Sequence, residues 1–309
     1  MKKFKSLIFY FIVLFSFLSC EKNHSKSDNS SEKIKIISSF SILTDIINQI
    51  GNDSVEVHNL VPVGTDPHEY EPVSEDIKFA SKADLFIYNG LNLEGGDSGW
   101  FKKLTATVGA DPSKIIKASE NITPLFLSGN RTEVNPHSFI SPAVGMEMAK
   151  TIAEALIKAD PENKNLYQSN LEKYVKDLKS IDEKYRQKLS EIPKERRIFI
   201  ASEQAFQYLT QEYGLKEGFI WSVDTEENGS PNQIKKAIAF VRENQPPVLF
   251  VESNVDQRPM QTISKETGIP IYLPPIFSDE LGKPGKEADS YLSYLEYNLK
   301  HIYKGLSGK

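Results

Sequence analysis

Two histidines stand directly behind prolines: His68 in "PVGTDPHEYEP" and His137 in "VNPHSF". The chain spends only five histidines on 309 residues, so both positions are conspicuous. A proline stiffens the backbone beside it, which aims the imidazole reproducibly. Three carboxylates follow apolar, strand-like runs: Glu203 after "RIFIAS", Glu252 after "VLFV" and Asp279 after "IPIYLPPIFS". Taken singly, each residue is also explained as an exposed loop histidine or a helix-capping carboxylate. Together, neutral imidazoles and carboxylates form a donor set suited to Mn2+ or Zn2+ and lack the thiolates that soft metals prefer. Residue types alone leave five candidates for about four places, with Glu203 and Glu252 undecided. His58, inside a strand pattern, and His301, beside Lys300 and Lys304, read as ordinary structural or surface histidines.

Elements that could bring these residues together are visible in the hydrophobic pattern. Apolar runs rich in β-branched residues ("KIKIISSF", "SVEVHNLVP", "ADLFIYNG", "KIIKAS", "RIFIAS", "EGFIWSV", "VLFVES", "IPIYLPPIF") alternate with helical patterns, among them 41–50, 74–82, 98–107, 143–159, 204–213, 232–244 and 258–268. Such alternation predicts βαβ units and parallel sheets covered on both faces. In open parallel sheets ligands bind beyond the carboxyl ends of the strands, where His68, His137 and the carboxylates fall. The alternation breaks at 163–192, a stretch free of glycine and proline. Its apolar stripe of Leu171, Tyr174, Leu178, Ile181, Tyr185 and Ile192, interrupted by Lys188, predicts a helix about 45 Å long, stopped by Pro193. The expected fold is α/β. Two lobes, 34–162 and 193–309, each carry a roughly four-stranded parallel sheet flanked by helices and are joined by one long rigid helix, 163–192.

The first residues are read as a targeting segment. "MKKFK" is a basic start and "SLIFYFIVLFSFLS" an apolar run too short for a comfortable membrane span. The run ends at Cys20, the only cysteine, so no internal disulfide can form. A small residue followed by cysteine at this point resembles a bacterial lipoprotein signal: residues 1–19 would be removed and Cys20 would carry lipid. Residues 21–33, "EKNHSKSDNSSEK", have no apolar side chain and are expected to be a disordered tether, with His24 solvated. Residues 1–19 hold Lys2, Lys3 and Lys5 and no acid, so the formal net charge of −5 becomes −8 on their removal. That balance argues against nucleic acid as a partner.

"VPVGTDPHEYEP", "YNGLNLEGGDSGWFKKL", "ASEQAFQYLTQEYGL", "GSPNQI" and "FVESNVDQRPMQTISKETGIPIY…IFSDELG" resemble, in order and spacing, segments of the solute-binding receptors of zinc and manganese ABC importers, with PsaA-type manganese-binding lipoproteins nearest. The resemblance covers roughly 34–305. It implies a receptor rather than an enzyme, lipid-anchored through Cys20 on the extracytoplasmic side of the cell membrane. The receptor would hold Mn2+ or Zn2+ between its lobes and deliver the ion, as a monomer, to an ABC permease and its ATPase. The resemblance also places the ligand roles on His68, His137, Glu203 and Asp279, leaving Glu252 as a structural carboxylate. Zinc-type relatives often carry a histidine-rich acidic loop, and a third histidine where this chain has Glu203; the lack of both favours manganese. The second histidine's loop commonly reads D-P-H-x-W in that family, whereas Asn135 and Phe139 stand here. Histidine protonation should compete with metal as pH falls through about 6. A metal-dependent hydrolase and a surface adhesin are the competing functions, and no H-E-x-x-H motif supports the first.

Overall fold

The computed structural model describes residues 33–128, 132–223 and 228–308. The expected signal peptide, Cys20, His24 and all of the tether except Lys33 lie outside the described residues.

Strands β1 (Ile34–Ser38), β2 (Val55–Asn59), β3 (Leu85–Tyr88) and β4 (Ile115–Lys117) form a parallel sheet in the order β2-β1-β3-β4. The register pairs Ser38 with both Asn59 and Ile87, and Tyr88 with Lys117, so all four strands end along one edge. In α1 (Ser41–Gly51), Ile42, Leu43, Ile46, Ile47 and Ile50 recur at helical spacing and are buried. The short helices α2 (Ser74–Ala80) and α3 (Trp100–Thr107) follow β2 and β3, and α4 (Pro142–Ala159) opens on a proline in its first turn. Gly145 lets α4 approach the C-terminal helix: a Cβ there would lie 2.5 Å from the Tyr291 hydroxyl.

The long helix is α5 (Lys164–Ser190), 27 residues that span about 40 Å. Tyr174, Leu178, Ile181 and Tyr185 are buried as the stripe predicts, and Leu189 continues it beside Lys188. This face packs on α1, α4, α6 (Gln207–Tyr213) and α9 (Tyr291–Ser307). The Tyr185 hydroxyl donates to the Leu295 carbonyl at 2.7 Å, pinning α5 to α9.

The second sheet departs from the expected four strands. Among the described residues there, only β5 (Ile198–Ile200) and β6 (Lys216–Gly218) form a regular parallel pair. The runs "VLFVES" and "IPIYLPPIF" are held by isolated bridges, Leu249 with Ile271 and Glu252 with Ile276, and by a bond from Phe250 N to the Ile200 carbonyl at 2.9 Å. Pro270, Pro274 and Pro275 have no N–H to give, so a continuous ladder cannot form there. Helices α7 (Pro231–Asn244) and α8 (Arg258–Thr267) cover this side through a small core that includes Trp221, Val241, Val251 and Ile263. The larger core runs without a break from the first sheet through α5 and α9 to Phe199, Phe206 and Phe250. Apolar packing is therefore continuous between the two halves.

Candidate metal centre

His68 lies on the loop between β2 and α2, and several bonds fix that loop. Its N–H donates to Asp66 Oδ1 at 2.7 Å, and the Trp100 indole donates to the Pro67 carbonyl at 2.8 Å. Further along, the buried Asp76 carboxylate accepts from the Tyr70 hydroxyl (2.7 Å) and from Val73 N (2.8 Å), and it meets His58 Nε2 at 2.7 Å. His58 thus braces the loop from behind, while His301 is a buried partner of the Tyr272 hydroxyl at 3.0 Å. Both keep the structural role expected of them.

His137 is fully buried. Asn135 Oδ1 accepts from its backbone N–H, and the same oxygen sits 3.0 Å from its ring Nδ1. The orientation of the Asn135 amide is determined by its other end, because Nδ2 donates to the Gln204 carbonyl (2.7 Å) and to Gln207 Oε1 (3.0 Å). The oxygen must therefore face the imidazole, and Nδ1 carries the ring proton. The Pro136 carbonyl is held by Asn89 Nδ2 at 3.0 Å, and Asn89 N and Gly90 N both donate to the buried Glu94, whose carboxyl burial pushes up to about 7.

Glu203 follows β5. Glu252 is not beside it as a fellow donor: its two oxygens accept from Glu203 N (2.9 Å) and Ser202 N (3.1 Å). Burial raises the Glu252 carboxyl to about 7 despite those bonds. Asp279 follows the bridged segment at Ile276, and its Oδ2 accepts from Asn254 Nδ2 at 3.2 Å.

These elements converge on one point. Among the described residues, His68, His137, Glu203 and Asp279 each bring one donor atom within 4.8 Å of the other three. His137 Nε2 is 3.2 Å from His68 Nε2, 3.2 Å from Asp279 Oδ1 and 3.6 Å from Glu203 Oε1. The histidine from the loop after β2 is half-buried and the other three are buried. Burial, reinforced by the neighbouring His137, lowers the His68 imidazole to about 4, although Asp279 pulls the other way. The cluster could hold one divalent ion through two nitrogens and two carboxylate oxygens.

The sequence pattern pointed to all four of these residues but missed the bonds behind them. Asn135 stood out only as a departure from the resembling family, and nothing in the local sequence marked Glu94 or Asn254.

A profile of the ZnuA family, described as zinc-uptake complex component A, periplasmic, matches residues 36–305. The metal ABC transporter substrate-binding lipoprotein FimA of Streptococcus parasanguinis is 42% identical over 311 residues, covering 99% of this chain and 100% of that protein. The manganese ABC transporter substrate-binding lipoprotein PsaA of Streptococcus pneumoniae has the same identity and coverage. Among solved structures, the Mn-bound periplasmic metal binding protein of Candidatus Liberibacter asiaticus superposes with a TM-score of 0.78 at 29% identity, covering 89% of this chain and 100% of that one. The periplasmic zinc binding protein TroA of Treponema pallidum, at 23% identity and a TM-score of 0.81, shares the fold. On the extent of the profile match and of these full-length relatives, the chain belongs to the ZnuA family.

Proposed function

We propose that this protein is the extracytoplasmic binding lipoprotein of a metal ABC importer. It captures one Mn2+, with Zn2+ as the competing ion, on His68, His137, Glu203 and Asp279. The lobes 34–162 and 193–309, on either side of the linking helix 163–192, would supply two ligands each. Cys20 would carry the lipid anchor, residues 21–33 the tether, and a permease with its ATPase would receive the ion.

One observation carries the reading. With its ring proton on Nδ1, His137 turns a lone pair toward His68 Nε2, Asp279 Oδ1 and Glu203 Oε1. Buried lone pairs and carboxylates facing each other repel unless a cation lies among them. The spacing supports the same conclusion. Four donors around a zinc ion at about 2.0–2.2 Å in a tetrahedron stand about 3.4 Å apart; the separations from His137 Nε2 are 3.2, 3.2 and 3.6 Å, and all four donors lie within 4.8 Å of one another. Capture is favoured over hydrolysis because four protein donors would fill a tetrahedral sphere such as that of zinc, whereas catalytic zinc keeps a position open for water. The nearby Glu252, moreover, has both oxygens committed to backbone amides, leaving it poorly placed as a general base.

Nitrogen and oxygen donors bind Zn2+ more tightly than Mn2+ by the Irving–Williams order, so supply would decide which ion is carried. The test is calorimetric titration of metal-stripped protein with Mn2+ and with Zn2+. One ion per chain, with binding abolished or strongly weakened in His68→Ala and Asp279→Ala, is the expected result. Wild-type affinity in both variants would refute the assignment.

A further inference from the structure

We infer that Glu280 is a positioning residue that latches the two halves of the site together and sets how slowly the captured ion leaves. The inference rests on the reading of His68 and Asp279 as ligands from opposite halves. Glu280 follows Asp279 directly, and its side chain is largely buried. Its carboxylate is not one of the four converging donors. Instead, Oε2 accepts the N–H of Gly64, 216 residues earlier on the loop that carries His68. Its other oxygen accepts from the Ser253 hydroxyl at 3.1 Å, and Ser253 N is fastened to the Ile276 carbonyl at 2.9 Å. The carboxylate thus spans from the bridged segments of the C-terminal half to the loop after β2.

The surroundings favour a specific joint over incidental packing. Gly64 has φ +90°, a conformation that side-chain-bearing residues rarely adopt, although a Cβ there would meet nothing within 4 Å. Backbone direction, rather than space, is what the glycine supplies, and with it the aim of its N–H. A second bond lies one residue on, where Leu281 N donates to Ser41 Oγ at 3.1 Å at the start of α1. Residues 279–281 are therefore tied to the N-terminal half at two points, while Ile276 N is tied to the Val251 carbonyl at 3.0 Å in the C-terminal half.

An ion held by His68 and Asp279 can leave only when those two ligands part. Parting them pulls the Gly64 loop from Glu280 and breaks a buried bond to a charged acceptor, the stronger class of hydrogen bond. Arrival is different, because an ion can first meet His68, the least buried of the four donors. The latch therefore acts mainly on dissociation.

The test loads the protein with Mn2+, chases with excess EDTA, and follows release by electron paramagnetic resonance. Removing the charged acceptor in Glu280→Ala should speed release about tenfold and leave association within about twofold of wild type. Glu280→Gln keeps an oxygen for Gly64 and should stay within about threefold of wild type. Ser253→Ala leaves the carboxylate less restrained and should speed release by about two- to threefold. Release at the wild-type rate in Glu280→Ala, or an effect confined to association, overturns the inference. Should Glu280→Ala fail to fold, Ser253→Ala is judged by the same two criteria. Wild-type protein that binds neither Mn2+ nor Zn2+ would instead remove the cargo reading on which the latch depends.

Discussion

The Nε2 atoms of His68 and His137 face each other at 3.2 Å, although the residues are 69 apart in the chain and come from different strand-end loops. At that separation either one nitrogen donates a proton to the other or both face a cation, and the two carboxylates alongside add negative charge to the same place.

Glu203 and Glu252 should separate in function. Glu203→Ala removes a proposed donor and should weaken Mn2+ binding at least about 100-fold, while Glu252→Ala removes only the group that holds the Glu203 backbone and should cost about tenfold. Calorimetric titration of the two variants measures this, and the reverse order would contradict the assignment.

Asn135 has two tasks that one substitution can divide. Asn135→Asp keeps an acceptor for His137 but loses both donors, bringing a carboxylate against the Gln204 carbonyl and Gln207 Oε1. Thermal unfolding of the metal-free variant should show a loss of about 1–3 kcal/mol, while Mn2+ affinity stays within about tenfold. Unchanged stability would show that the two donor bonds contribute little.

The pH dependence has a definite sign. His68 is lowered from an ordinary 6.5 to about 4 in the folded protein. The unfolded chain therefore binds the extra proton first, so stability from this group is complete above about 6.5 and is lost as pH falls toward 4. The loss for the metal-free protein approaches about 3 kcal/mol and should be absent in His68→Gln, as measured by denaturant unfolding from pH 7 to 4. The same shift moves proton competition at His68 below the pH of about 6 expected for an ordinary histidine, toward 4.

Cys20→Ser should release the protein from membranes into the soluble fraction, as read by fractionation of cells expressing each form. A variant that stays membrane-bound would show that lipid on Cys20 is not its anchor.

Much of this was legible in the sequence because it depends on local pattern. Alternating apolar runs located β1 to β4, and the stripe from Tyr174 to Tyr185 located the face of α5. Prolines marked His68 and His137. What the residues alone left open was relational. Glu203 and Glu252 are both buried carboxylates near strand ends, and only the tertiary fold turns the oxygens of Glu252 onto the amides of Ser202 and Glu203. The amide of Asn135 is oriented by partners 69 and 72 residues away, and Glu280 by one at 216. The second sheet was over-read because β-branched runs signal strands even where prolines interrupt the ladder.

Anomalous diffraction from a crystal of the Mn2+-loaded protein tests the central claim most directly. The account predicts a single ion with His68 Nε2, His137 Nε2, Glu203 and Asp279 all at about 2.0–2.3 Å. An ion bound elsewhere, or any of these donors beyond about 3 Å from it, would contradict the account.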